Sequence, residues 1–169
     1  MRTLVTIAAL AAVAASLGLP ALAARATFDG NACGLLGTSE MKAARLVGAA
    51  CRELPTKSGT WGALGTLTAS VGVFHNTRIR GTHQLILIVV KASNPGAVLA
   101  YLRQNKDTFL HTLGVAGISS RSASGAGERW FLAGSSYGAY AGLVDGTAKK
   151  RTVVKALASI EAAVKSGVS

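Results

Sequence analysis

Residues 134–138, Gly-Ser-Ser-Tyr-Gly, are the one segment of the sequence that fits a catalytic pattern. They match G-x-S-x-G, in which a nucleophilic serine, here Ser136, sits on a tight turn between a strand and a helix. That chemistry needs an acid and then a histidine further along the chain. The last histidine is His111, which precedes the serine, and the residues after the motif alternate like a strand. The segment is therefore predicted to be a Gly/Ser hairpin turn.

Histidines and carboxylates do not form a pattern that predicts a metal site or an acid–base pair. The chain has three histidines and seven Asp and Glu residues. His75 and His83 flank a predicted hairpin and could approach each other across it, but no carboxylate or cysteine accompanies them at ligand spacing. Glycosidic cleavage needs two facing carboxylates, and no pair can be nominated. We therefore expect no metal and no cofactor, and the sequence favours a non-catalytic protein.

Basic residues dominate the charge balance. The 18 Lys and Arg residues outnumber the 7 Asp and Glu residues, which gives a formal net charge of +11. Such a surface attracts polyanions, although most of these charges are scattered as on an ordinary solvated surface. One group, the basic cluster, stands where the last helix is predicted to begin: Lys149, Lys150, Arg151 and Lys155.

Cations at a helix N-terminus oppose the helix dipole, at a cost of about 0.3–1 kcal/mol each when exposed. A bound anion would be stabilised both by these cations and by the free N–H groups of the first helical turn. The basic cluster is therefore a candidate anion-binding site. A solvated helix start is the alternative interpretation.

A second candidate surface lies in the last predicted hairpin, which carries four aromatic side chains. They are Trp130, Phe131, Tyr137 and Tyr140. Because side chains alternate along a strand, only some of these can point inward. Those that face outward, next to Arg129, would form a ligand-binding surface. Core packing is the alternative for all four.

The first 23 residues have the three parts of a secretory signal peptide. Arg2 supplies the positive charge, residues 4–19 are uncharged and mostly Ala, Leu and Val, and small residues ending at Ala23 form an A-x-A cleavage pattern. The apolar run is shorter than the about 20 residues that a membrane-spanning helix needs. We therefore expect cleavage near Ala23, no membrane anchor, and a single domain, residues 24–169, in the periplasm or outside the cell.

The two cysteines, Cys33 and Cys51, also favour a location in the periplasm or outside the cell. An even number of cysteines in an exported chain predicts a disulfide. A short helix capped by Thr38 or Ser39 is predicted between them, so the bridge would fasten this helix to its lead-in. Reactive thiols or metal ligands are the alternative, but the spacing is not C-x-x-C and no histidine pattern accompanies it.

The predicted elements follow the order helix, strand, strand, helix, strand, strand, helix. Residues 52–65, with Pro55 and several glycines, are predicted to be a loop. Residues 85–90 are apolar at every position, which predicts a central strand covered on both sides, or partly so. The other strands are predicted at residues 67–73, 128–133 and 139–144, and the later helices over residues 95–113 and after Thr147. This order predicts the α+β class: one antiparallel sheet of about four strands with helices packed mainly on one face.

The segments around the cysteines and before the last hairpin resemble a known family. Residues 33–40, Cys-Gly-Leu-Leu-Gly-Thr-Ser-Glu, followed by Cys51, are similar to the C-x-L-L-T-x-x-E helix and second cysteine of a broad family of small bacterial secreted domains. Most of these are lipoproteins of unknown function. Residues 125–128 match the G-x-G-[DE] segment of that family, and residues 152–164 match its last helix. The chain departs from the family in lacking a cysteine that could be lipidated.

The resemblance implies a binding or sensory domain and no catalytic residues. Our leading hypothesis is therefore a non-catalytic periplasmic or secreted binding module that uses the basic cluster and the hairpin aromatics as contact surfaces. Its partner would be an anionic envelope polymer, a lipid surface or another protein, and we expect no specific nucleic-acid binding. A small exported hydrolase, or an inhibitor of an exported enzyme, is the alternative function.

Overall fold

One antiparallel sheet organises the residues described by the structure, a computed structural model that covers residues 28–78, 83–115 and 125–168. The predicted signal peptide lies outside these ranges. The strands are β1 (Ala50–Thr60), β2 (Thr66–His75), β3 (His83–Ala92), β4 (Ala126–Gly134) and β5 (Tyr137–Asp145). The helices are α1 (Thr38–Ala43), α2 (Pro95–Gln104), α3 (Lys106–Thr112) and α4 (Lys150–Val168). Within the described ranges, no helix is long and apolar enough to cross a membrane.

The five strands of this part of the chain lie side by side in the order β1-β2-β3-β5-β4. The predicted α+β class and antiparallel sheet are confirmed, and β1 is the strand beyond the four that the sequence predicted. β3 occupies the centre of the sheet, as its apolar sequence indicated. β1 and β4 are the two edges.

β1 covers most of the segment that was predicted to be a loop. Pro55 lacks an N–H and glycine weakens a strand, so the composition favoured a loop. An edge strand tolerates proline, however, because one side of its backbone needs no partner. One extra residue between Leu54 and Lys57 forms a bulge in the pairing of β1 with β2. The loop prediction was therefore wrong for residues 52–60.

Both faces of β3 are buried, as predicted, and the helices are divided between them. Leu85, Leu87 and Val89 pack with α1 and α4 on one side of the sheet, here called the α4 face. The residues between them, Ile86 and Ile88, pack with α2 and α3 on the opposite side, the α2 face. The expectation of helices mainly on one face thus describes α1 and α4 only. A strand that is apolar on both sides needs cover on both.

The single helix predicted after Asn94 is two helices that meet at Asn105. The Asn94 side chain accepts a hydrogen bond from the Ala97 N–H, and Pro95 is the first helical residue, as predicted. At the other end, the Asn105 side-chain amide donates to the carbonyl oxygen of Tyr101 at 3.0 Å. A side-chain amide that competes for helix carbonyls in this way favours a break.

The predicted disulfide between Cys33 and Cys51 is confirmed. It joins a 3-10 turn, Ala32–Leu35, to the second residue of β1. Gly72 on β2 lies against this turn, and a Cβ there would stand only 3.2 Å from the backbone nitrogen of Cys33. The glycine therefore lets the disulfide-linked turn lie close against the α4 face.

Candidate functional site

The basic cluster lies at the start of α4, as the sequence predicted. Lys150 is the first helical residue. The carbonyl oxygen of Lys149 accepts hydrogen bonds from the N–H groups of Thr152 and Val153, so Lys149 is the capping position. All four cations of the cluster are exposed, and within the described ranges none of them pairs with a carboxylate. The cluster therefore presents unneutralised positive charge at the positive end of the helix dipole.

Two arginines extend the basic cluster toward the neighbouring strands. Arg45 Nη1 donates to Asp145 Oδ2 at 2.9 Å and to Thr147 Oγ1 at 2.7 Å, which holds its guanidinium against the turn that leads into α4. Asn76 Nδ2 donates to the Arg45 carbonyl oxygen, and Asn76 Oδ1 accepts from the N–H of Arg78. The basic cluster together with Arg45 and Arg78 is called the basic end below.

A buried carboxylate and a buried imidazole anchor the basic end to the sheet. Asp145 is 2 % exposed and His83 is 0 % exposed. Thr147 donates to Asp145 Oδ1 twice, from its N–H at 3.0 Å and from its hydroxyl at 2.8 Å. His83 Nε2 lies 2.7 Å from the carbonyl oxygen of Ala44, and Nδ1 lies 3.6 Å from Asp145 Oδ2. The contact of Nε2 ties the end of α1 to β3, whereas the buried Nδ1 lies beside the Asp145 carboxylate and has no hydrogen-bond partner among the described residues.

The Asp145 carboxyl titrates below its usual range. Burial alone would raise the pKa of Asp145, because a charged carboxylate is costly out of water. The two hydrogen bonds from Thr147 and the proximity of His83 and Arg45 outweigh burial, so the pKa of Asp145 is lowered. The carboxylate form is therefore the form that the folded protein stabilises.

A pH dependence of stability follows from this lowered pKa. The unfolded Asp145 has a pKa of about 3.9, so below that value the unfolded state takes up a proton more readily than the folded state. We expect the free energy of unfolding to be nearly constant from about pH 7 to about pH 5 and to fall below about pH 4. Urea denaturation at several pH values measures this. In Asp145→Asn, the free energy of unfolding should fall less steeply below about pH 4, whereas Glu53→Gln, a change at an exposed carboxyl, should leave this fall unchanged. An equally steep fall in both variants would contradict the assignment of this pH dependence to Asp145.

The hairpin residues proposed as a ligand surface are divided between the two faces of the sheet. Trp130 and Tyr140 lie on the α2 face with ring centroids 4.5 Å apart, and Tyr140 is only 4 % exposed. Tyr137 packs on the α4 face, where Arg129 also pairs with Glu161 of α4 at 2.9 Å. The alternation of side chains thus separates these four residues, and they do not form one exposed surface.

Tyr140 belongs to a polar bridge between the sheet and α3. Its hydroxyl donates to Glu128 Oε2 at 3.4 Å, and Lys106 Nζ approaches the same oxygen at 2.9 Å. Burial, and then the charge of Glu128, raise the pKa of Tyr140 far above its usual value. The tyrosine is therefore a neutral hydrogen-bond donor at physiological pH.

The serine motif is the turn between β4 and β5, as predicted. The carbonyl oxygen of Ser136 accepts a hydrogen bond from the N–H of Ala92. A strand follows the serine, whereas a nucleophile elbow needs a helix. The geometry around Ser136 therefore gives the hydrolase alternative no support.

His75 and His83 lie on opposite faces of the sheet. His83 is two residues from Leu85 and points to the α4 face, whereas His75 is two residues from Val73 and points to the α2 face. They therefore do not approach each other across the hairpin. Across residues 28–78, 83–115 and 125–168, no group of three or more His, Cys, Asp and Glu residues is arranged to hold a metal ion.

The sequence did not indicate an open pocket that the structure places on the α2 face. It has a volume of about 390 Å³ and lies where β1 and β3 begin and β2 ends. Its residues belong to three strands, one of which was predicted to be a loop, so no local pattern could have grouped them. The lining residues are Ala50, Cys51, Arg52, Val73, His75 and Gln84.

Comparison of the chain with protein-family models, curated proteins and solved structures finds no match. The chemistry of the site itself therefore has to carry the functional conclusion.

Proposed function

We propose that this protein is a non-catalytic periplasmic or secreted binding module that places its basic end against an anionic component of the cell envelope. One observation carries the proposal: four exposed cations surround the start of α4 without a carboxylate partner in the described part of the chain. Such an arrangement costs stability unless an anion offsets the charge.

The surroundings of the basic cluster add to its positive field. The nearest acid on the adjoining turn, Asp145, is buried and already paired with Arg45. Arg45 is nevertheless 41 % exposed at its side chain, and Arg78 is exposed as well. The free N–H groups at the start of α4 contribute further partial positive charge. A polyanion approaching the start of α4 therefore meets the four unpaired cations of the basic cluster, and the adjoining turn carries no exposed carboxylate.

Hydrogen bonds fix the backbone around the basic end, which lowers the entropic cost of binding. The turn before α4 is fixed by the hydrogen bonds of Thr147 to Asp145, and the end of α1 is fixed by His83. The cations themselves remain on flexible side chains that can adapt to an irregular surface. Each lysine or arginine near an anionic membrane contributes about 1 kcal/mol, so the basic cluster alone suffices for measurable binding.

Removal of two lysines should weaken this binding selectively. We expect Lys149→Ser combined with Lys150→Ser to reduce the affinity for vesicles of phosphatidylglycerol and phosphatidylcholine by roughly thirtyfold, at about 1 kcal/mol for each lysine. Co-sedimentation with the vesicles measures this. Lys91→Ser combined with Arg103→Ser removes the same charge from exposed positions outside the basic end and should have a much smaller effect.

Salt and a second polyanion complete the test. Binding of the unaltered protein should fall steeply between about 50 mM and about 300 mM NaCl, because the contacts are screened. A parallel titration with an acidic polysaccharide, polygalacturonate, separates a general polyanion site from a lipid site. Affinity that is insensitive to salt, or equal losses in the two double variants, would refute the proposal.

A further inference from the structure

The pocket on the α2 face gathers polar side chains from three neighbouring strands. Ala50, His75 and Gln84 are direct cross-strand partners in one row of the sheet, and Arg52 and Val73 are partners in the next. Side chains of such rows stand about 5 Å apart on the same face. Arg52, His75 and Gln84 therefore converge on one concave space, although they are far apart in the sequence.

Among the described residues, the polar side chains of this pocket have no partners. Within the described ranges, Arg52 forms no ion pair, and no side-chain hydrogen bond is found for His75 or Gln84. None of the lining residues is acidic. A planar guanidinium binds a carboxylate or phosphate through two parallel hydrogen bonds, and an imidazole and an amide can add further donors. The pocket is therefore chemically suited to an oxyanion.

The floor of the pocket is apolar. Val73 is 6 % exposed and belongs to the core under α2 and α3, and Ala50 lies beside it in the lining. Cys51 also borders the pocket, although its disulfide lies on the α4 face. Its volume of about 390 Å³ falls at the lower end of the range of about 300–1,000 Å³ that small-molecule sites occupy. A ligand that fills it would carry a short apolar body beside its charged group.

We propose that this pocket binds a small organic oxyanion, a carboxylate or a phosphate monoester, whose charged group pairs with Arg52 and whose apolar body lies on Val73. His75 on β2 and Gln84 on β3 orient the oxyanion from the two strands next to β1. The site is separate from the basic end: it uses side chains of the α2 face and none of the six cations named there. It would exist whether or not the basic end contacts the envelope.

Probe titrations of the ¹⁵N-labelled protein, followed by NMR, test this site directly. The probes are benzoate and phenyl phosphate, with benzamide as the neutral isostere of benzoate and inorganic phosphate as the anion without an apolar body. We expect saturable shifts at the amides of Arg52, His75 and Gln84 with benzoate, phenyl phosphate, or both, and the stronger of these two probes identifies the preferred oxyanion. Benzamide and inorganic phosphate should bind at least about tenfold more weakly than that probe.

Arg52→Gln provides the decisive variant, because Arg52 is exposed and its replacement should leave the fold intact. We expect it to raise the Kd of the preferred probe at least about tenfold, whereas Arg103→Gln, the same change at an exposed position on α2, leaves it unchanged. The variant lacking Lys149 and Lys150 should bind the probe normally, which separates this site from the basic end. Shifts confined to the start of α4, equal binding of benzamide and benzoate, or no effect of Arg52→Gln would overturn the proposal.

Discussion

Asp145→Ala is expected to lower the free energy of unfolding by about 3 kcal/mol. The change removes the acceptor of both Thr147 hydrogen bonds and of the Arg45 ion pair. It also takes away the carboxylate that lies 3.6 Å from the buried Nδ1 of His83. A buried polar group that loses its partner costs about 1–3 kcal/mol, and several groups lose theirs together. Arg45 contributes less to this sum, because it is partly exposed and can turn to water. Urea denaturation at neutral pH measures the loss.

Glu53→Ala is the matched control for this prediction, because Glu53 is an exposed carboxylate on the edge strand β1. It should change the free energy of unfolding by no more than about 0.5 kcal/mol. A loss in Asp145→Ala no larger than in the control would mean that the buried cluster does not stabilise the fold.

Loss of the disulfide is expected to have an effect of similar size. Replacing both cysteines, Cys33→Ser with Cys51→Ser, should lower the free energy of unfolding by about 3 kcal/mol, because the open chain gains conformational freedom mainly in the unfolded state. The bridge spans a sequence separation of 18 residues, which sets this magnitude. Replacing both residues leaves no unpaired thiol. Denaturation of the variant and of the oxidised protein under identical conditions measures the difference.

Reduction of the unaltered protein supplies an independent check on the disulfide prediction. Dithiothreitol should reproduce the loss in the unaltered protein and have no effect on the double variant. Equal stability of the oxidised protein and the double variant would show that packing, and not the disulfide, holds the turn around Cys33.

Features that depend on local pattern were predicted well from the sequence. The two-sided apolarity of residues 85–90 identified the central strand, and the paired cysteines identified the disulfide. The Gly/Ser segment at residues 134–138 identified the turn between β4 and β5, and the basic cluster stands at the predicted helix start. Each of these features is determined by residues close together in the chain, so composition and periodicity report it directly.

Features that depend on contacts between distant parts of the chain were not predicted from the sequence. β1 has the composition of a loop, and only its place at the sheet edge makes a strand with Pro55 acceptable. The contact between His83 and Asp145 comes from strand register, which no local pattern encodes. The pocket around Arg52 has the same origin, because its lining follows from the pairing of three strands. Alternation did predict that the hairpin aromatics would divide between the two faces, but not which of them would be buried.

The bulge and the proline of β1 also bear on how copies of this chain meet one another. An exposed sheet edge offers unpaired backbone groups with which another polypeptide can continue the ladder, and this is a route to self-association and fibrils. Pro55 has no N–H with which to continue a ladder, and the extra residue between Leu54 and Lys57 interrupts the regular strand there. The proline and the bulge, which made the sequence of β1 resemble a loop, thus also disfavour the pairing of further strands with this edge of the sheet.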